Sequence, residues 1–147
     1  MNTIRPARRL DPLSPTERSE RMSRVRGKNT KPELFVRRLA WSLGFRGYRL
    51  HVQELPGCPD LVFTRAKKVV FVHGCFWHRH IGCSACRMPK TRLEFWKPKL
   101  YENRRRDIAN LRRLRKLGWK ALIVWECEIC DARLLVQALS AFLGKVR

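Results

Sequence analysis

The chain has 147 residues, a length that fits one domain with a hydrophobic core large enough to need no disulfides. Lysine and arginine number 33 against 12 aspartates and glutamates, and this net charge of +21, spread along the whole chain, predicts a polyanionic partner such as nucleic acid. No apolar run approaches the roughly 20 residues of a membrane span, so we expect a cytoplasmic chain without membrane contact, whose six cysteines favour metal ligation over disulfides.

The chain opens with a basic segment and a capping pattern. Residues 1–13 contain three arginines and little to bury, so we expect a flexible basic arm, followed by a single domain over residues 14–147. Ser14 and Glu17 lie three apart around a proline, a capping box that predicts a helix as far as Arg26. The helix has few apolar side chains and is therefore expected at the surface.

A second capping box begins at Thr30 and includes Glu33. Apolar residues follow at helical spacing until Gly44, which predicts a helix packed on a sheet. In this position Glu33 can reach back to the N-cap amide, a purely local role. The spacing is equally compatible with a place in a catalytic site, and both interpretations stay open.

Three short apolar runs predict strands. They cover residues 48–52, 60–63 and 68–72. The last two runs are close enough to form an antiparallel hairpin, so Asp60 would begin one strand beside the end of the next, where Val72 and His73 leave the sheet. A carboxylate beside a free carbonyl and an imidazole can hold Mg²⁺. The alternative is that Asp60 caps the Pro-Asp turn.

A long helix is predicted in the second half of the chain. A capping box at residues 91–94, with Pro98 in the first turn, indicates a helix that ends near Leu117. Lys99 and Asn103 lie four apart and share one exposed face. The expected buried stripe consists of Ile108, Leu111, Leu114 and Leu117. The remaining predicted elements are a core strand over residues 119–127 and an amphipathic helix over residues 131–142.

Metal-binding side chains cluster after the third strand. Cys75, His80 and Cys83 lie within one loop, and Cys127 sits at the end of the final strand. Thiolates combined with one imidazole make a closed tetrahedral set that suits a structural Zn²⁺. Cys86 also forms a CxxC pattern with Cys83, so its replacement of His80 or Cys127 stays open, although we favour the latter two.

Two further histidines are interpreted from their surroundings. His78 lies between the metal ligands but outside the chosen set, which leaves it available for proton transfer close to Asp60. His51 has no metal-ligating neighbours in the sequence, so we interpret it as a surface or strand histidine.

Four motifs together resemble one known family. FVHGCFWHRHIGC, GCPDLVF, TRLEFW and LGWKALIVWEC closely resemble the very-short-patch-repair (Vsr) mismatch endonucleases, over about residues 18–128. The resemblance implies an α/β, restriction-endonuclease-like fold, a mixed β-sheet flanked by helices with a structural zinc loop. It also implies a Mg²⁺-dependent nick in one strand of double-stranded DNA, 5′ of the thymine in a T:G mismatch left by deamination of 5-methylcytosine.

The resemblance implies catalytic roles as well. Asp60 would bind Mg²⁺ together with the main-chain carbonyl of Val72, where the familiar form of the family has threonine. His78 would activate the attacking water. His73 and Glu33 would support the hydrated metal ion and the scissile phosphate.

The remaining implied roles concern zinc and DNA. The zinc set would be Cys75, His80, Cys83 and Cys127. Aromatic side chains would enter the DNA stack beside the mismatch, where a wobble pair is easier to separate from its neighbours. These are Phe76, Trp77 and Trp96, the last with a place in the core as its alternative. Met22 and the arm would follow the opposite groove, and Lys99 and Asn103 would contact base edges.

Two other functions remain compatible with the sequence. One is a zinc-stabilised nucleic-acid-binding module without catalysis, and the other is a restriction-like nuclease that needs no mismatch. A nick in one strand requires one active site, so a monomer is expected to suffice. Contact with other mismatch-repair proteins is a further expectation.

Overall fold

Four strands form one mixed sheet in the part of the chain that the computed structural model describes, residues 13–24 and 27–144. The strands, in spatial order, are β1 (Arg49–Leu50), β2 (Leu61–Phe63), β3 (Lys68–His73) and β4 (Lys120–Trp125). The pairs β1–β2 and β2–β3 are antiparallel, whereas β3–β4 is parallel. The predicted hairpin is therefore confirmed, and the arm predicted over residues 1–13 lies outside the described residues except for Leu13.

Helices cover both faces of this sheet. Their bounds are α1 (Pro15–Ser23), α2 (Lys31–Ser42), α3 (Leu93–Lys116) and α4 (Ala132–Leu143). Short 3₁₀ helices lie at Ser84–Cys86 and Glu126–Cys130. None of the helices within residues 13–24 and 27–144 is long and apolar enough to cross a membrane.

β2 and β3 are largely buried on both faces because their side chains alternate between two hydrophobic clusters, whereas both residues of β1 are exposed. One cluster joins α2 and α4 to the sheet through Val36, Val70, Val124, Leu135 and Leu139, among others. The second cluster joins α3 to the opposite face through Val62, Val69, Phe71 and Leu114. The result is a single α/β domain with the mixed sheet between two helical layers, as the resemblance of its motifs to a known family implies.

The two N-terminal caps form with one difference. Ser14 and Glu17 make the predicted capping box, with a 2.7 Å bond from the Ser14 amide to the Glu17 carboxylate. The helix ends at Ser23, earlier than predicted, and residues 25–26 lie outside the described residues. At α2, Thr30 caps the helix, but the Glu33 carboxylate accepts from the Asn29 amide at 2.9 Å and not from the N-cap amide.

The predictions for α3 were wrong in two respects. The helix begins at Leu93, after Arg92 in a left-handed conformation (φ 54°), so there is no capping box and Pro98 lies inside the helix. The buried stripe is also different, because Ile108 and Leu117 are exposed. Leu100 and Leu114 are the buried apolar residues of this helix.

Two strands end earlier than predicted. β1 stops at Leu50 because His51 adopts a positive φ of 46°, which no extended strand allows. β4 stops at Trp125, so Cys127 lies in the following 3₁₀ helix. As a result, His51 and Cys127 both lie outside the sheet, in the segments that follow β1 and β4.

The α4 core contact can be tested by a matched pair of truncations. Leu139 is fully buried, whereas Leu134 on the same helix is 60% exposed. We expect Leu139→Ala to lower the free energy of unfolding by about 2–5 kcal/mol and Leu134→Ala by well under about 1 kcal/mol. Urea unfolding followed by circular dichroism measures both, and similar losses in the two variants would contradict this packing.

Candidate active site and metal centre

A cavity of about 640 Å³ lies where β2 begins and β3 ends, between the sheet, α3 and the loop before α2. Four carboxylates line it, a third of the acidic residues in a chain with net charge +21. They are Glu33, Asp60, Asp107 and Glu126. A concentration of negative charge in a basic protein is unfavourable unless cations or protons accompany it. The cavity is therefore the best candidate for a cation-dependent site.

The register of the hairpin places Asp60 as predicted. The Val72 amide donates to Asp60 Oδ2 at 2.7 Å, so the carboxylate binds across the hairpin instead of capping its own turn. Gly57 allows the approach: its φ is 79°, and a Cβ there would lie 3.1–3.2 Å from Asn110 and Phe71. The loop that contains Gly57 therefore packs closely against α3, and Asp60 at its end lies in the cavity wall.

Asp60 is held in an unfavourable environment. Burial raises the pKa of Asp60 to about 6 against the opposing hydrogen bond from Val72, and the charge of Glu33 adds to the rise. A nearby cation would stabilise the ionised form of this carboxylate. This property is typical of a functional carboxylate.

On the other side of the cavity, three side chains form a connected set. His78 Nδ1 lies 2.6 Å from Asp107 Oδ2, and the His78 ring stacks on His73 with centroids 3.8 Å apart. Because a carboxylate only accepts, Nδ1 of His78 carries the proton and Nε2 is left with a lone pair. Burial, and then the proximity of His78, lowers the pKa of His73 to about 4, so His73 is neutral near pH 7. The structure therefore brings His73, His78 and Asp60 to one cavity.

The prediction for His51 was wrong. Its ring lies in the cavity wall, with Nδ1 3.7 Å from Asp60 Oδ1 and Nε2 3.6 Å from Glu33 Oε2. Arg37 completes the group, with Nη2 2.8 Å from His51 Nε2 and 3.2 Å from Glu33 Oε2. Glu33 is buried and has both a local bond to Asn29 and a place in the cavity, so its two interpretations are not exclusive.

The four preferred zinc ligands converge. Their donor atoms all lie within 4.8 Å of one another: Cys75, His80, Cys83 and Cys127. His80 Nδ1 is 3.5 Å from the first sulfur and 3.4 Å from the last. Zinc bonds of about 2.3 Å to sulfur and about 2.0 Å to nitrogen in a tetrahedron separate such donors by about 3.5 Å, so the set fits this ion. Cys86 is buried outside the cluster.

Local contacts also hold this loop. The His80 amide donates to the Cys75 carbonyl at 3.0 Å, and the Cys83 amide donates to the His80 carbonyl at 3.1 Å. The His80 ring stacks on Trp125 with centroids 4.2 Å apart. Desolvation, followed by the neighbouring thiols, raises the pKa of Cys127 to about 12. A bound cation would therefore favour ionisation of Cys127 beside the other thiols.

The predicted DNA-contacting aromatics form one surface cluster. Phe76 lies 5.1 Å from Trp77 and 5.5 Å from Trp96, measured between ring centroids, and Phe95 extends the row at 5.2 Å from Trp96. All but Phe95 are half-buried, and Phe95 is 43% exposed. Trp96 is therefore not a core residue. Trp77 also lines the cavity, so the cluster begins beside the carboxylates.

The three other predicted DNA contacts lie beside these aromatic rings or in the cavity. Lys99 is exposed, with its ammonium 5.3 Å from the Phe95 ring centroid. Asn103 does not share that exposure, because it is half-buried and donates to the Trp77 carbonyl at 3.3 Å. Met22, on α1, lines the cavity.

Sequence reasoning missed Asp107, His51 and Arg37. Asp107 lies two helical turns from each of the buried residues Leu100 and Leu114, so helical spacing alone could have placed its carboxylate on the inward face. No comparable signal existed for His51, because its position depends on a left-handed backbone residue at the end of β1.

Comparison with known proteins identifies similar sequences. Residues 10–84 match the family model described as DNA mismatch endonuclease Vsr. The type II nicking enzyme V.XorIIP of Xanthomonas oryzae is 50% identical over 121 residues, covering 82% of this chain and 88% of that protein. The DNA mismatch endonuclease Vsr of Escherichia coli is 41% identical over 115 residues, covering 77% and 73%. The type II nicking enzyme V.NmeAIP of Neisseria meningitidis is 37% identical over 137 residues, covering 93% and 96%.

The raised pKa of Asp60 predicts that this residue destabilises the metal-free protein. An acid whose pKa is raised by folding lowers stability as pH rises from about 4 to 6, and the loss persists at neutral pH. We expect Asp60→Asn to raise the free energy of unfolding at neutral pH by on the order of 2 kcal/mol, and the gain to shrink near pH 4. Denaturant unfolding without added Mg²⁺ measures this.

The control for this prediction is Glu54→Gln, an exposed carboxylate on the preceding loop, which should change stability little. A wild-type protein as stable as Asp60→Asn at neutral pH would show that the carboxylate is not strained.

Proposed function

The chain belongs to the family of DNA mismatch endonuclease Vsr, and we propose that it nicks one strand of duplex DNA 5′ of the thymine in a T:G mismatch, with Mg²⁺. The observation that carries this proposal is the acidic cavity of a strongly basic protein, with Asp60 on one side and the His78–Asp107 pair on the other. Basic side chains elsewhere neutralise DNA phosphates, while the carboxylates need a metal ion. Family membership supports a DNA endonuclease, and the cavity supports hydrolysis.

The donor set of the cavity fits Mg²⁺. Asp60, aided by the main-chain carbonyl of Val72, would hold the ion, and Glu33 with His73 would contact its water shell and the phosphate. Bound Mg²⁺ supplies charge stabilisation for the phosphate oxygens and the leaving group. Oxygen ligands and retained waters are what this ion prefers. The raised pKa of Asp60 agrees with a site completed by a cation.

His78 is the proposed general base. Its contact with Asp107 fixes the tautomer, so that Nε2 can take a proton from the water that attacks the phosphorus. Asp107 orients the ring and stabilises the imidazolium that results. The stacked His73 is neutral, which avoids repulsion when His78 becomes charged.

We propose a structural role for Zn²⁺. Four protein donors leave no position for water, so the ion would brace the loop and take no part in hydrolysis. This loop carries Phe76, Trp77 and His78 between its ligands. Bracing it would therefore fix the base and the aromatic side chains relative to each other.

Mismatch recognition is assigned to the aromatic cluster. Phe76, Trp77 and Trp96 would enter the step beside the T:G pair, where separating the stack requires less free energy than at a Watson–Crick pair. Lys99 and Asn103 would read base edges from the adjacent helix face, and Met22 would lie in the opposite groove. The position of Trp77 at the cavity supports cleavage close to the inserted rings. One cavity suffices for one nick, so a monomer is proposed.

The nicking proposal is tested with three labelled duplexes that contain T:G, T:A or C:G at one position. We expect Mg²⁺-dependent cleavage of the thymine strand in the T:G duplex alone. Asp60→Asn should reduce the rate by about 100-fold or more while DNA binding persists, since the metal site contributes several kcal/mol to the barrier. Asp131→Asn, at the exposed cap of α4, is the control and should leave nicking unchanged.

Each alternative function has its own outcome in that assay. No strand break in any duplex, with binding intact, would identify a non-catalytic binding module. Equal cleavage of all three duplexes would identify a nuclease without a mismatch requirement.

The zinc proposal predicts about one zinc per chain by elemental analysis. Replacing both Cys75 and Cys127 by serine should remove the metal and disorder the loop, as seen by near-ultraviolet circular dichroism. Cys130→Ser, outside the cluster and exposed, is the matched control and should keep the metal. Normal folding of the double variant would refute the structural role, and loss of zinc in Cys86→Ser would revise the ligand set.

A further inference from the structure

A row of three neighbouring side chains leads from α2 to Asp60. Arg37 Nη2 lies 2.8 Å from His51 Nε2, and His51 Nδ1 lies 3.7 Å from Asp60 Oδ1. The side chains of Arg37, His51 and Asp60 are only 11–14% exposed. Arg37 is itself fixed by Asn29 Oδ1 at 2.8 Å and by Glu33 Oε2 at 3.2 Å.

These contacts determine which ring nitrogen of His51 carries the proton. A guanidinium has donors only, so at 2.8 Å the Nε2 atom of His51 must accept. The proton of the neutral ring is then on Nδ1, the atom that faces Asp60. The opposite tautomer would direct Nε2–H toward Glu33 Oε2 at 3.6 Å, but it would set donor against donor at the much shorter 2.8 Å contact with Arg37. It would also set a lone pair against the carboxylate oxygen of Asp60.

We propose that His51 is a positioning residue, held by Arg37 as the Nδ1–H tautomer so that it fixes Oδ1 of Asp60 for the metal ion. The two oxygens of Asp60 then have separate partners, because Oδ2 already accepts from the Val72 amide. With a partner facing each oxygen, rotation of the carboxylate is restrained when a cation binds. The 3.7 Å separation is long for a hydrogen bond, and such contacts commonly shorten in the loaded site.

This role rests on the proposed function, since it concerns the same carboxylate. It also explains why a neutral imidazole lies between two acidic side chains and an arginine. A histidine ring has one donor and one acceptor on opposite sides, so it can link the donor-only Arg37 to the acceptor-only Asp60. A lysine or a second arginine at position 51 would instead compete with the metal ion for the carboxylate.

The tautomer is tested directly by nuclear magnetic resonance of the full chain labelled with ¹⁵N-histidine, without Mg²⁺. We expect the His51 nitrogens to report a protonated Nδ1 and an unprotonated Nε2 at neutral pH. His51→Leu identifies the signals by their loss. A ring protonated on Nε2 would overturn the proposal whether or not the protein nicks DNA.

Two substitutions then test the positioning role. His51→Leu keeps much of the volume without a donor, whereas His51→Asn retains an N–H group near the position of Nδ1. We expect the leucine variant to weaken Mg²⁺ binding by about 10–100-fold, measured calorimetrically, and the asparagine variant to restore most of it. DNA affinity should stay at the wild-type value in both. Gln53→Leu, an exposed neighbour, is the control and should bind Mg²⁺ normally.

The outcomes separate this proposal from the proposed function. Wild-type Mg²⁺ affinity in a folded His51→Leu protein, or equal weakening in the leucine and asparagine variants, would overturn the positioning role. If the wild type binds Mg²⁺ and shows the expected tautomer but cuts no duplex, the nicking function fails and the positioning role stands.

Discussion

The antiparallel register of β2 and β3 is the constraint on which the site depends. Pairing of Leu61 with Val70 brings Asp60 level with the end of β3, where the Val72 amide donates a hydrogen bond of 2.7 Å to the carboxylate. A slip of one residue would turn Asp60 to the other face of the sheet. Because Leu61, Val62, Val69 and Val70 are fully buried, the two hydrophobic clusters oppose such a slip. The core thus holds the position of the carboxylate.

The loop after β3 serves two purposes through the order of its side chains. Cys75, His80 and Cys83 turn inward to form a cluster with a residue from the end of β4, while the intervening side chains face the cavity and the surface. The parallel pairing of β3 with β4, which sets His73 opposite Trp125, brings the fourth donor within reach. One register therefore aligns both the candidate metal centre and the histidine pair.

The charge distribution makes the cavity an electrostatically unfavourable part of the folded protein. Four carboxylates share one cavity, and Arg37 is the cation held closest to Glu33 among the described residues. Burial of the hydrophobic clusters on both sheet faces offsets the free energy that this repulsion costs. The surrounding basic surface offers phosphates a favourable approach, and those phosphates would bring further negative charge to the cavity. A divalent cation would relieve both conflicts.

The sequence by itself determined the features that depend on local spacing. Capping residues predicted α1 and α2, two apolar runs with a short turn between them predicted the hairpin and the neighbours of Asp60, and ligand spacing predicted the cysteine and histidine cluster. Only the tertiary structure decided the partners of the catalytic candidates. Asp107 reaches His78 from a helix 29 positions away, and His51 reaches Asp60 through a left-handed backbone turn. Such contacts depend on how helices pack across a sheet, and periodicity within one segment carries no information about that packing.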